Sequence, residues 1–393
     1  MPYLEILCVF LRLGLTSFGG PVAHIGYFRN EFVTRRRWVT DTQFSSWLAI
    51  CQALPGPASS QLGFLIGLHR GGMGGALIAW AGFTLPSALA LVLVATYGLQ
   101  MNASWTASVI DGLKLVAVVV VAQAVIGMFN SLCQQTVTRV LSVIGFALAL
   151  GFGGWAGQLG AIAAGGLIGF GFCGAHAARP TNVVALSHSP SARAGTGLLL
   201  LMLALLLALP WFAAGQPVLQ LFDAFYRAGA LVFGGGHVVL PLLESATVTP
   251  GLVSSEAFLT GYSIAQAVPG PLFTFAAWLG ALDPTVPGFG GAMLALVAIF
   301  LPGMLLVTGV LPWWHALSAK PWAFGVLAGM NAAVVGVLAA AWVDPIVLTS
   351  VTSMSSFAVA CAGAAMLIWR KYPVVLVVVS LPALMVLLDW LGL

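Results

Sequence analysis

Gln52-Ala53-Leu54-Pro55-Gly56-Pro57 interrupts an apolar run, and 214 residues later Gln266-Ala267-Val268-Pro269-Gly270-Pro271 interrupts another. Each proline removes a backbone donor and clashes with the turn before it, so residues 41–53 and 57–68 cannot be one continuous helix. Further matches lie on both sides of these breaks. Phe18-Gly19-Gly20 recurs as Phe233-Gly234-Gly235 at an offset of 215, where Arg12 also falls on Arg227 and Gly14 on Gly229. Gly74-Gly75-Ala76 and Leu85-Pro86 recur as Gly290-Gly291-Ala292 and Leu301-Pro302 at 216, and Gly112-Leu113-Lys114 lies over Gly329-Met330-Asn331 at 217. Ordered matches with so little drift mark a tandem duplication. The expected organisation is a first repeat over 1–174, a connector loop and linking helix over 175–216, and a second repeat over 217–393.

Composition decides the solvent. Of 393 residues, 60% are hydrophobic and only 6% are charged, against about 25% charged in an ordinary soluble domain. So few charges cannot dress a water-facing surface, which excludes a soluble enzyme, a nucleic-acid binder and a secreted disulfide scaffold. The five cysteines are scattered, with no metal-ligand spacing, so neither a metal nor a cofactor is expected. Charge-free stretches such as 71–110 and 140–178 are each long enough for two spans of about 20 residues. The first apolar stretch holds Glu5 and Arg12 and lacks a small-residue cleavage site, so it is expected to stay as a span. The fold expected is an all-α polytopic membrane protein of two homologous repeats, with broken or re-entrant helices and about 10–13 membrane helices in all.

The repeats differ in charge. Arg29, Arg35, Arg36 and Arg37 follow the first Phe-Gly-Gly segment, whereas Glu244 and Glu256 follow the second, with no Lys or Arg. Positive residues mark the cytoplasmic side, so the repeats are expected to be inverted, with 29–40 inside and 244–256 outside. Inversion needs an odd number of crossings between equivalent points. The count turns on whether 41–68 crosses or dips in and returns, which the sequence leaves open.

Paired broken helices point to a binding site near the midplane. A helix restarting at Pro57 offers free amides and the hydroxyls of Ser59 and Ser60 to an anion; Thr274 follows Pro271 in the same way. Gln52 and Gln266 open the two breaks and join the candidate set. The competing reading of one such break is a packing kink. Gly19, Gly20, Gly234 and Gly235 either unwind the chain or let helices approach closely. With Pro55, Gly56, Pro57, Pro269, Gly270 and Pro271 they are the candidate hinge positions. His24 and His237 can donate to an anion or relay a proton, or be buried and satisfied.

Arg12 and Arg227 are the sharpest polar signal, since an intramembrane guanidinium is functional by default and its donor fork suits a tetrahedral oxyanion. Arg227 has Asp223 one turn back as a competing partner. Arg12 has Cys8 in that slot, with Glu5 seven residues back. Lys114, with Asp111 three residues before it, and its repeat mate Asn331 complete the set. An oxyanion is expected between Arg12, Lys114 and the helix start at Ser59–Ser60. The Arg35-Arg36-Arg37 run reads most simply as a topology anchor. The spans carry no nucleophile–base pair or metal constellation, so the chain is expected not to be an enzyme.

With these residues in view, the chain resembles the chromate ion transporter family in its long, two-domain form. The resemblance rests on Phe18-Gly19-Gly20-Pro21 with His24-Ile25-Gly26, on the two Pro-Gly-Pro segments with Gln61, on Leu85-Pro86-Ser87, and on Phe233-Gly234-Gly235-Gly236-His237. It implies a multi-pass bacterial inner-membrane protein that expels chromate and confers resistance, linked to the proton motive force or to exchange with sulfate. The alternatives are a sulfate or other divalent oxyanion exchanger, or an anion channel of the same architecture. The partners implied are chromate, sulfate and membrane lipid, with no nucleic acid; oligomeric state, a homodimer included, stays open. Gly236 for Pro21 and Asn331 for Lys114 set the second repeat apart, so the halves are expected to bind asymmetrically.

Overall fold

The computed structural model describes residues 2–98, 105–173, 186–233 and 236–391, and these form helices with no strand among them. In the first repeat the helices are α1 (Pro2–Thr16), α2 (Gly20–Phe28), α3 (Asp41–Ala53), α4 (Ala58–Tyr97), α5 (Thr106–Leu132), α6 (Thr136–Phe152) and α7 (Gly154–Phe172). After the linking helix α8 (Ala192–Ala213) come α9 (Pro217–Ala230), α10 (Val239–Thr247), α11 (Ser255–Ala267), α12 (Phe275–Leu282) and α13 (Phe289–Val310). The chain closes with α14 (Trp314–Ser318), α15 (Pro321–Ala341), α16 (Leu348–Ser350), α17 (Met354–Ala364) and α18 (Val374–Trp390). Among the described residues, six stretches are long and apolar enough to cross a membrane: α4, α5, α7, α8, Phe289–Ser318 and Pro321–Ser350.

The helices that lead into the breaks start alike. Thr40 caps α3, accepting from the Gln43 amide while Gln43 Oε1 accepts from the Thr40 amide. Ser254 caps α11 by accepting from the Ala257 amide. The two caps are repeat mates, so the duplication extends to the start of the broken helix, where the first amides lack a partner within the helix.

Both broken segments turn back. Phe10 on α1 packs on Phe28 and Phe32, Arg12 meets Glu31, and Glu5 meets Arg36. Thus α1 and α2, continued by a π-helical stretch over Arg29–Arg35, form a hairpin whose bend is the Phe18-Gly19-Gly20 segment. Asp41 at the start of α3 pairs with Arg29, and Arg70 returns to Glu5. Residues 41–70 therefore dip in and return, which answers the question the sequence left open. At Gly71 and Gly72 the backbone leaves helical geometry, and Gly67 abuts Gly75 and Ala79. The 40-residue α4 is accordingly two antiparallel helices. In the second repeat Asp283 holds the same bend by accepting from the amides of Thr285 and Val286, and Gly280 abuts Gly291 and Ala295.

The repeats exchange their last helices. Gly165 and Gly169 of α7 lie against Gly329 and Gly325 of α15, and Gly145 of α6 against Ala333. Reciprocally, Gly112 of α5 lies against Pro382 of α18, whose Asp389 accepts from Ser108 at 2.8 Å. Lipid offers apolar surface as readily as another helix does, so close backbone approach at small residues is what holds such contacts together. The main apolar core accordingly draws on both repeats, from Leu91 and Val118 to Phe225, Phe275 and Leu338.

Candidate functional site

The breaks of one repeat are tied to the other. The Gly56 amide donates to the Val232 carbonyl at 2.7 Å, and the Gly270 amide donates to the Ser17 carbonyl at 3.0 Å. Ser17 and Val232 are repeat mates, each just before its Phe-Gly-Gly segment. Gly56 and Gly270 sit at φ 123° and 113°, where only glycine is at ease. Gln61 Nε2 donates to the carbonyls of Pro55 and Gly303 at 2.9 and 3.1 Å. At the matching place, Gly270 lies against Ser87, the repeat mate of Gly303. Each Pro-Gly-Pro break thus docks between the carbonyl just before the Phe-Gly-Gly segment of the opposite repeat (Val232 or Ser17) and the helix of that repeat that carries Pro302 or Pro86. The four broken segments converge.

This convergence is polar and largely without internal partners. Ser17 Oγ, Ser60 Oγ, Gln61 Oε1, Thr84 Oγ1 and Gln266 Nε2 are buried and accept or donate no hydrogen bond. Left so in a dry interior, such groups cost about 1–3 kcal/mol each, so a cluster of them suits a polar solute. His24 is buried, with Nε2 3.2 Å from the Ser17 carbonyl and Nδ1 3.4 Å from Ser59 Oγ. A carbonyl only accepts, so Nε2 carries the proton and Nδ1 accepts from Ser59. His237 Nδ1 lies 2.9 Å from the Tyr262 hydroxyl. Thr274 turns its hydroxyl onto the Pro271 carbonyl at 2.7 Å, whereas its mate Ser60 leaves its own free, so the two halves differ here. Gln52 is exposed at the end of α3, and Asn331 is half-buried on α15. Gly19 and Gly20 bend the first hairpin at φ 97° and 73°. Gly234 and Gly235 lie outside the described residues.

The charged candidates are distributed elsewhere. Sequence spacing leaves Arg12 without a close carboxylate, but the hairpin brings Glu31 to it, with Nη2 to Oε2 at 2.5 Å. Glu31 also takes Arg36 at 2.7 Å and Arg35 at 3.4 Å, while Glu5 holds Arg36 at 2.9 Å and Arg70 at 3.4 Å. Burial works against the Glu31 carboxylate, yet the Arg36 hydrogen bond and the charges of Arg12, Arg35 and Arg36 prevail and hold its pKa below the usual range. Its contribution to stability is therefore complete above the ordinary carboxylate range, and is lost only as pH falls through the lowered pKa. Lys114 pairs with Asp111 at 2.8 Å and faces Glu256 at 3.8 Å. Arg12 and Lys114 thus pair with different carboxylates, Glu31 for the one and Asp111 and Glu256 for the other. Arg227 bonds both oxygens of Asp223, at 2.8 and 3.0 Å. That pair lines an open groove of about 690 Å³ walled by α7, α8, α9 and residues 245–250.

Sequence reasoning missed Glu31, Ser17, Thr84 and Tyr262. An acid standing alone among arginines was the available signal for Glu31. The serine, threonine and tyrosine carry no pattern that tells them from other buried hydroxyls.

Two repeats of re-entrant, broken helices, interlocked around a polar centre, define the class: a two-domain, multi-pass, all-α membrane protein. The profile of the Chromate transporter family matches residues 4–170 and 219–387, one segment per repeat. The chain belongs to that family. It is 30% identical over 360 residues to a probable chromate transport protein of Synechococcus elongatus, covering 84% of this chain and 81% of the relative. It is 29% identical to a chromate transport protein of Pseudomonas aeruginosa over 98% of this chain and 91% of the relative. To one of Cupriavidus metallidurans it is 27% identical, over 86% and 81%. No solved structure matches the chain.

Proposed function

We propose that this protein is a secondary transporter that carries chromate out across the bacterial inner membrane and thereby confers chromate resistance. In this reading, residues 1–174 and 217–393 are inverted repeats, joined by 175–216, that alternate around a shared site at the four breaks. The observation that carries it is the reciprocal lock, Gly56 to Val232 and Gly270 to Ser17. It ties both broken helices to the opposite repeat at one place, as alternating access around a fixed site requires.

The chain path supports inversion. Both hairpins of the first repeat return to the end marked by Glu5, Arg36 and Arg70. The second half of α4, then α5, α6, α7 and α8, make five passes, so α9 starts from the opposite end. The charges support this path. Arg29, Arg35, Arg36, Arg37 and Arg70 outnumber Glu5, Glu31 and Asp41 at the first end, and Asp111, Asp223, Glu256 and Asp389 outnumber Lys114 and Arg227 at the other. Arginine at the inner mouth attracts a dianion from the cytoplasm, and carboxylates at the outer mouth disfavour its recapture. Moving a dianion outward across an inside-negative membrane is favoured by about 4.6 kcal/mol per 100 mV. Chromate and sulfate are both tetrahedral dianions, so sulfate is the natural competitor or exchanged ion. Proton coupling is the alternative source of drive.

Single cysteines at Thr34 and Thr249, both exposed, test the topology in a chain freed of its five native cysteines. Impermeant thiol reagents are expected to reach Thr34→Cys only from the cytoplasmic face and Thr249→Cys only from the outside. Labelling of both from one face would make the repeats parallel and remove the alternating-access argument.

A further inference from the structure

We propose that Arg12, Arg35 and Arg36 form an oxyanion-docking site at the arginine-rich mouth, and that Glu31 is its built-in plug. The inference rests on the transporter reading above and adds a second place, distinct from the breaks, at which a tetrahedral dianion is held. Three guanidiniums from two elements converge on one carboxylate whose side chain is only 5% exposed. A topology anchor needs no such convergence. It needs positive charge in water, as Arg29 offers beside Asp41 with both side chains more than half exposed.

The donors outnumber what Glu31 can use. Arg12 keeps 45% and Arg35 59% of the side chain exposed, so part of each fork faces the approach. Arg36 and Arg70 lie 5.5 and 5.3 Å from the Trp38 ring centroid, a stacking that holds both cations when a carboxylate leaves. Arg37, between Arg36 and Trp38, has φ 53°, a left-handed conformation that a non-glycine residue adopts under constraint. With Glu31 displaced, Arg12, Arg35, Arg36 and Arg70 stand against Glu5 alone, leaving three positive charges, enough to hold a dianion.

Glu31 also has a way out. It lies in the π-helical stretch Arg29–Arg35, and a return to α-helical register would rotate its side chain around the helix. Arg12 stands near the end of α1, one turn before Ser17, whose carbonyl receives the Gly270 amide. Exchange of Glu31 for an oxyanion on Arg12 therefore removes one tie between α1 and the Arg29–Arg35 stretch, while Phe10 still packs on Phe28 and Phe32 and keeps the hairpin closed. Carboxylate and oxyanion compete for the same donors, so the mouth is closed when no substrate is present.

Glu31→Gln removes the charge of the plug and keeps its shape. In the purified full-length protein, calorimetry with chromate and with sulfate is expected to show binding about tenfold tighter than wild type and weakened by salt. Adding Arg36→Gln should cancel the gain. Glu31→Asp, which keeps the charge but shortens the reach, should show a smaller gain and serves if Glu31→Gln is not monodisperse. Unchanged or weaker binding in a folded Glu31 variant overturns the plug. Flux through wild-type protein in the same preparation separates the two claims: wild type that moves neither anion contradicts the transporter reading, whereas a transporting wild type with an indifferent Glu31 variant contradicts only the plug.

Discussion

Gly56→Val is expected to stop oxyanion flux, lowering it by about 100-fold or more, through strain of about 1–3 kcal/mol and the loss of polar contacts of similar worth. The residue is at φ 123°, which a β-branched side chain does not tolerate. A Cβ there would lie 2.6 Å from Gln61 Nε2, the atom that ties the break to Pro55 and to Gly303 of the other repeat. Relieving that clash turns the peptide whose amide donates to Val232. The substitution therefore strikes the break and its anchor together. Gly270→Val should do the same through Ser87, whose Oγ would lie 2.6 Å from the new Cβ. Flux measured in vesicles and affinity by calorimetry separate the causes. Flux should fall much further than affinity, and a proportional loss of both would make the segment a binding element rather than a hinge.

Arg12→Ala is expected to abolish chromate resistance while leaving the amount of protein in the membrane unchanged. Glu31 keeps Arg36 at 2.7 Å and Arg35 at 3.4 Å when Arg12 is removed, so no buried carboxylate is left unpaired and the hairpin survives. What disappears is the guanidinium nearest the bend at Ser17. Arg12→Lys restores the charge without the fork and should recover only part of the resistance. Resistance near wild type in Arg12→Ala would make the residue structural.

What could be read from the sequence is what the backbone imposes locally. Pro55, Gly56 and Pro57 announce a break because no side-chain context lets them continue a helix, and their recurrence at 269–271 exposes the duplication. The Asp223–Arg227 and Asp111–Lys114 pairs follow from one turn of helix. Glu31 on Arg12 does not, because the two meet only after the chain has reversed at Gly19 and Gly20, and a reversal has no period. Glu256 beside Lys114, and α18 against α5, are likewise invisible, since they join residues of opposite repeats. The polar centre fell between these cases. Ser60 could be placed at a helix start, whereas the buried, unpartnered hydroxyls of Ser17 and Thr84 were recognisable only once the repeats were interlocked.

The central claim is that the interlocked breaks carry a tetrahedral dianion across the membrane by exchange. The direct measurement is flux of labelled chromate in proteoliposomes of the purified protein, with sulfate or a pH gradient imposed on the opposite side. Saturable chromate movement is expected, for which sulfate competes and which quickens when the opposing sulfate or proton gradient is present. Chromate movement no faster than in protein-free liposomes, or an electrical current that runs regardless of any exchanged ion, would contradict it.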